Sequence, residues 1–254
     1  MDQNPPKQHE VEAVVLRPFG PNILKTTFPP ALVEAMNTHC DTAIEEKEKG
    51  AKWLDAAMDL VGHVKQEIKC DVNKVPDLGQ ALFQTANALY TNFMTNSQQE
   101  YLIPNKLEVH DAWFVRSFAA DYNPLHIHTV GNFSCIAYLQ VPESISDKNS
   151  KHTHEKHVTE GWTEFSYGST AMCCAGSFKV QPKVGDFYMF PTYLFHNVYP
   201  FFGEGERRSF SANVTLHVDP THEPTKDMPA QPVPPPATQP QPQPQPEQPW
   251  RRGC

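Results

Sequence analysis

No run of apolar residues in the 254-residue chain approaches the roughly 18 that a membrane-spanning helix needs. A helical membrane span is therefore excluded. The segment Met1-Asp2-Gln3-Asn4-Pro5-Pro6-Lys7 lacks the apolar stretch of a secretory leader, so the expected compartment is cytoplasmic. There is no CxxC. The six cysteines are Cys40, Cys70, Cys135, Cys173, Cys174 and Cys254. Adjacent Cys173 and Cys174 would point to opposite faces of a strand. Neither a zinc ribbon nor a disulfide framework fits, and free thiols in a reducing compartment are expected. Basic charge is also short: Lys+Arg number 21 against 29 Asp+Glu, a net charge of -8. With no basic stripe interleaved with aromatics, nucleic acid is not an expected partner. No internal repeat is found in the part expected to fold.

Proline is abundant but unevenly placed. Of 25 prolines, 12 lie in 219–254, which carries the alternation Gln239-Pro240-Gln241-Pro242-Gln243-Pro244-Gln245-Pro246. Proline removes ladder donors and fixes φ, and this stretch has little apolar surface to bury. It is expected to be a disordered tail with polyproline II bias, and interactions with a partner through it are conceivable on composition. The remainder, 1–218, is large enough for one core and reads as a single domain.

Within that domain, 1–106 reads as a helical and scaffold part. Extended structure is expected over Glu12–Phe28, broken at Pro18-Phe19-Gly20-Pro21. Apolar residues recur at helical spacing over Ala31–Glu48, Trp53–Ile68 (with Gly62 near its middle) and Leu78–Met94. From 107 to 218 the pattern is β-rich: Leu107–Ala119, Phe133–Val141, Trp162–Tyr167, Ser177–Val180, Phe187–Phe190 and Arg207–Val218, with Pro, Gly, Asn or Asp between them. Short strands joined by turns suggest a sandwich or small barrel, with the helical layer on one outer face.

Histidine carries the chemistry. Asn123-Pro124-Leu125-His126-Ile127-His128 follows a strand-like segment. On a strand, His126 and His128 share one face about 6.5–7 Å apart, a workable spacing for one metal ion. His152-Thr153-His154-Glu155-Lys156-His157 is richer in histidine but lies in a polar stretch, lacks the HExxH spacing, and reads as a solvated loop. Further on come Gly185-Asp186-Phe187-Tyr188-Met189-Phe190-Pro191, then His196, then Arg207-Arg208-Ser209. Alternation places Arg207, Ser209, Ser211 and Asn213 on one face, and Arg208, Phe210, Ala212 and Val214 on the other.

That order resembles the Fe(II)/2-oxoglutarate-dependent oxygenases, most closely those encoded by phages and marine microbes. It comprises His-x-His, a Tyr-bearing strand with Ser134 and Tyr138, Pro142, the GDFYMFP segment, a distal histidine and Arg-x-Ser. The likeness spans about Trp113 to Val218. It implies a mainly β fold, a double-stranded β-helix or jelly roll with an N-terminal helical layer. It implies Fe(II) and 2-oxoglutarate as cofactor and cosubstrate, and hydroxylation of an unidentified primary substrate with release of succinate and CO2. It implies His126 and His196 as iron ligands. Arg207, Ser209 and Tyr138 would hold the distal carboxylate of 2-oxoglutarate, with Arg208 the competing anchor.

One departure stands out. The family's usual carboxylate position is occupied by His128. The third ligand is thus His128, or a carboxylate such as Asp121 or Glu164, or the protein binds metal without oxygenase activity. Neutral ligating histidines predict activity that falls below about pH 6.5. Two other readings stay open, a non-catalytic jelly-roll binding module and a cupin-type metalloenzyme without 2-oxoglutarate. The cupin pattern expects a glutamate soon after His-x-His, where this chain has Thr129-Val130-Gly131-Asn132-Phe133.

Overall fold

The computed structural model describes residues 20–56, 62–97, 99, 101–145 and 159–219. Strand β1 (Leu24–Thr27) leads into helix α1 (Pro30–Glu48), which opens on proline at its first turn, where no helical N–H is lost. Strand β2 (Gln66–Lys69) and helix α2 (Leu78–Ser97) follow. Eight strands complete the described residues: β3 (Ile103–Ser117), β4 (Asn123–His126), β5 (Phe133–Gln140), β6 (Thr163–Ser166), β7 (Ser177–Val180), β8 (Asp186–Pro191), β9 (Phe195–Val198) and β10 (Arg207–Asp219). No described helix is long and apolar enough to cross a membrane.

The strands form two antiparallel sheets, a large one in the order β1-β8-β5-β10-β3-β2 and a small one in the order β4-β9-β6-β7. They face each other as a mainly β jelly roll, and the expected fold class holds. The two helices cover the outer face of the large sheet. Leu32, Val33, Met36, Leu78, Leu82, Ala86 and Leu89 pack there against Phe114, Ala137, Phe187, Phe210, Ala212 and Val214. A second core lies between the sheets, built on Ile136, Tyr138, Phe165, Val180, Tyr188, Phe190 and Leu194. The pleat of β10 therefore separates its residues as the alternation requires. Phe210, Ala212 and Val214 go to the helices, while Arg207, Ser209, Ser211 and Asn213 line a cavity of about 690 Å³ between the sheets.

One helical expectation is corrected. In the described part of Trp53–Ile68 there is a single 3-10 turn at Lys52–Leu54, Asp55 bridges Ile68, and Gln66–Lys69 is edge strand β2 paired with β3. Leu54 and Ile68 are buried beside Ala43 of α1. The free edge of β3 offers ladder partners that outweigh helical periodicity in a segment interrupted by glycine. Glu12 to Phe19, residues 57–61, the stretch around His152 to His157 and the Pro/Gln tail lie outside the described residues.

Candidate metal and anion site

Three histidines converge on the inner face of the small sheet. His126 of β4 and His196 of β9 are direct cross-strand partners, and their ring centroids lie 4.2 Å apart. His128 lies just past the end of β4, where its N–H donates to the Thr192 carbonyl at 3.0 Å. Its ring is 5.1 Å from that of His196 and 5.3 Å from that of His126. One nitrogen from each ring lies within 4.8 Å of the other two, and no other metal-competent group of three is present among the described residues.

The loop after His128 is held by Gly131, whose φ is +84°. A Cβ there would come within 2.6 Å of the Val214 carbonyl oxygen, so the close approach to β10 requires glycine. Around it, Asn132 N–H donates to Val214 O at 2.8 Å, and Thr192 Oγ1 donates to Gly131 O at 3.2 Å.

The outer hydrogen bonds set the tautomers. His126 Nδ1 lies 2.7 Å from the Pro124 carbonyl, and His196 Nδ1 lies 2.9 Å from the Leu194 carbonyl. A carbonyl only accepts, so both δ nitrogens carry the proton and both ε lone pairs are left for the shared centre. His128 Nδ1 has a long contact, 3.5 Å, to Nδ2 of the Asn213 side-chain amide. That amide also accepts from Ser134 Oγ at 2.8 Å. Burial lowers all three histidines: His196 to about 3 and His128 to about 4, each further lowered by His126. The rings are neutral at pH 7, which is the state a metal requires.

The two carboxylates considered as alternative ligands are engaged elsewhere. Asp121 is buried and accepts from the backbone N–H groups of Lys65 at 2.8 Å and Phe118 at 2.9 Å, and it contacts His63 Nδ1 at 3.1 Å. Glu164 belongs to the opposite pleat of β6 from buried Thr163 and Phe165, and accepts from the Tyr199 hydroxyl. Neither lines the cavity.

Arg207 is the largest fully buried side chain, 1% exposed. Its Nε donates to the Gly161 carbonyl at 3.1 Å and an Nη to Thr163 Oγ1 at 3.4 Å, and its guanidinium lies 5.1 Å from the Tyr138 ring centroid. Among the described residues no carboxylate pairs with it, and burial lowers its pKa. An unpaired buried cation is costly, and an anion reaching it from the cavity would relieve that cost. Ser209 is 1% exposed and lines the same cavity. Tyr138 sits behind this wall, donating its hydroxyl to Thr163 Oγ1 at 2.8 Å. Thr163 therefore joins the cluster, although the sequence did not single it out. The usable signal was the alternation of Thr163 and Phe165 within a strand that had been recognised.

Arg208, one residue on, belongs to the helical side. It donates to Glu206 at 2.7 Å, Asp41 at 2.8 Å and Asn37 at 3.2 Å.

Fold and site together give a jelly roll in which three converging histidines that could hold a metal ion line the same cavity as a buried, carboxylate-free arginine. The family model described as "Putative 2OG-Fe(II) oxygenase" matches residues 111–213, the stretch from mid-β3 into β10 that carries both clusters. Over that segment the chain is similar to the 2OG-Fe(II) oxygenases, the 2-oxoglutarate-dependent dioxygenases that use Fe(II). No curated protein sequence matches the chain. Among solved structures, it is similar to a prolyl-4-hydroxylase from Pseudomonas putida at 16% identity and TM-score 0.48, over 75% of this chain and 90% of that one. It is also similar to a viral collagen prolyl hydroxylase from Paramecium Bursaria Chlorella virus-1, at 11% identity and TM-score 0.45 over 76% and 94%. A third is HygX from Streptomyces hygroscopicus, solved with nickel and 2-oxoglutarate, at 10% identity and TM-score 0.43 over 76% and 82%.

Proposed function

We propose that the chain hydroxylates a primary substrate, coupled to conversion of 2-oxoglutarate to succinate and CO2. His126, His128 and His196 would hold Fe(II), which when bound supplies the oxygen-activating chemistry. Three neutral imidazoles carry no charge, so a dianionic cosubstrate brings the centre to neutrality. Arg207 would receive the distal carboxylate in a charge-assisted pair, with hydroxyl donors from Thr163 and Ser209. The cation–π contact with Tyr138 and the Tyr138–Thr163 hydrogen bond would keep the guanidinium in place.

The observation that carries this reading is buried, carboxylate-free Arg207 opening on the cavity that also receives the three histidines. The cupin pattern has no role for Arg207 and Ser209 at this position, which favours the oxygenase reading over a cupin-type centre. Anaerobic addition of Fe(II) and 2-oxoglutarate tests it. A metal-to-ligand charge-transfer band, with succinate formed on admission of air, is expected. Absence of both rules the reading out.

A further inference from the structure

The cavity extends well beyond the histidines, along the inner face of β3 to edge strand β2. Its outer end is lined by Asp55, Glu67, Lys69, His110, Asp111 and Trp113. Glu67 differs from the others because it is 6% exposed. Its backbone carbonyl accepts from Lys47 Nζ at 3.4 Å and from Ala56 N–H at 3.4 Å. Among the described residues no group hydrogen-bonds or ion-pairs with its carboxyl. The neighbouring acid is already served, since Lys47 Nζ lies 3.1 Å from Asp55. Lys69, two residues on, is exposed and makes no ion pair with Glu67 among the described residues.

Register fixes where Glu67 stands. Glu67 pairs with Val115, and Val115 pairs with Ser209, so the three form one row across β2, β3 and β10 on the cavity face. Two strand spacings separate Glu67 from Ser209, about 10 Å. That is too far for Glu67 to serve the distal carboxylate of 2-oxoglutarate, which would sit at Arg207. It is a suitable reach for a group at the far end of a substrate whose other end approaches the histidines. Trp113, in the next cavity-facing row, contacts the His128 ring at 5.8 Å and offers an apolar surface between the two ends.

We propose that the primary substrate carries a protonated amine or guanidinium group, and that the Glu67 carboxyl receives it at the outer end of the cavity. The inference rests on the oxygenase reading for the word substrate, but the binding site stands on its own geometry. A buried carboxyl beside a second acid favours a cationic partner over a neutral or anionic one. Burial, reinforced by Asp55, raises Glu67 to about 8, so at pH 7 the empty site holds a proton. A bound cation would displace that proton and supply the missing ion pair.

The test needs neither iron nor 2-oxoglutarate. The full chain is titrated, with NMR detection, with n-butylguanidinium, n-butylamine and the neutral isostere n-butylurea. A charge-assisted pair predicts that the two cations bind at least about tenfold tighter than the urea. Glu67→Gln should abolish that preference. Equal binding of cation and urea by the native chain overturns the proposal, as does a preference that survives in Glu67→Gln. The native comparison is decisive even if the variant fails to fold. A charge-transfer band without cation preference removes this inference and leaves the oxygenase reading. Cation preference without the band removes the oxygenase reading and leaves an amine-binding site.

Discussion

Arg207 and Arg208 are neighbours on β10 that serve opposite faces of the large sheet. Arg207 points between the sheets, toward Thr163 and Gly161. Arg208 points toward the helices, where it meets Glu206 and Asp41. Arg207→Ala should therefore weaken 2-oxoglutarate binding by on the order of 10²-fold, the scale of a lost charge-assisted bidentate contact. Arg208→Ala should lower stability by about 1–3 kcal/mol and leave that binding within about threefold. Equilibrium titration and thermal melts separate the two. Loss of 2-oxoglutarate binding in the Arg208 variant alone would move the anchor by one residue.

His128 lacks the backbone acceptor that orients His126 and His196. Asn213 turns its Nδ2 toward His128 Nδ1 while its Oδ1 accepts from Ser134, so ligation through His128 Nε2 requires the amide to flip and present its oxygen to Nδ1–H. Asn213→Leu removes that acceptor, and Fe(II) affinity should fall by about 10–100-fold. Asn213→Asp should retain affinity, since a carboxylate accepts from the same N–H. Anaerobic metal titration reads both variants, and unchanged affinity in Asn213→Leu would mean that His128 does not depend on this partner.

The low histidine values move the acid limb expected from the sequence. With His196 at about 3 and His128 at about 4, these two rings have no proton to lose on binding metal at pH 6, and burial lowers His126 as well. Between pH 7 and 5.5, Fe(II) affinity should change by no more than about tenfold. Three unperturbed imidazoles would lose on the order of 10³ over the same interval. Stability follows the opposite rule from a stabilised cation. The unfolded rings take up protons near 6.5 while the folded ones do not, so stability is complete above that value. For His128 and His196 it is lost as pH falls from 6.5 toward 4, by about 1.4 kcal/mol per pH unit for each of these two rings. Denaturant titrations across this range check the slope.

Gly131 holds the loop that carries His128 against β10. Gly131→Ala would put a methyl group 2.6 Å from the Val214 carbonyl oxygen on a backbone with φ of +84°. A destabilisation of about 1–3 kcal/mol is expected, together with weaker metal binding, because His128 moves with the loop. Unaltered melting and metal affinity would show that the loop does not position His128.

Much of the fold is legible because its signals are local. The alternation of Arg207 to Val214 predicts which residues reach the cavity and which reach the helices. The apolar stripe of Leu78, Leu82, Ala86 and Leu89 predicts α2. These patterns follow from the pleat and the helical turn, which act over a few residues. In the described part of Trp53–Ile68 the helical reading fails because a vacant sheet edge is a non-local partner. No window of sequence contains it.

The sequence by itself determined the order His126, His128, His196, Arg207, the face that Arg207 shares with Ser209, and the layered mainly β class. Only the tertiary structure decided that His126 and His196, far apart in the chain, sit opposite each other on β4 and β9. It also brought Thr163 to Arg207, turned Asp121 and Glu164 to other partners, and set Glu67 in one row with Val115 and Ser209. The physical reason is register. Side-chain direction along a strand is a property of the strand, whereas the residue found across from it depends on which distant segment supplies the hydrogen bonds.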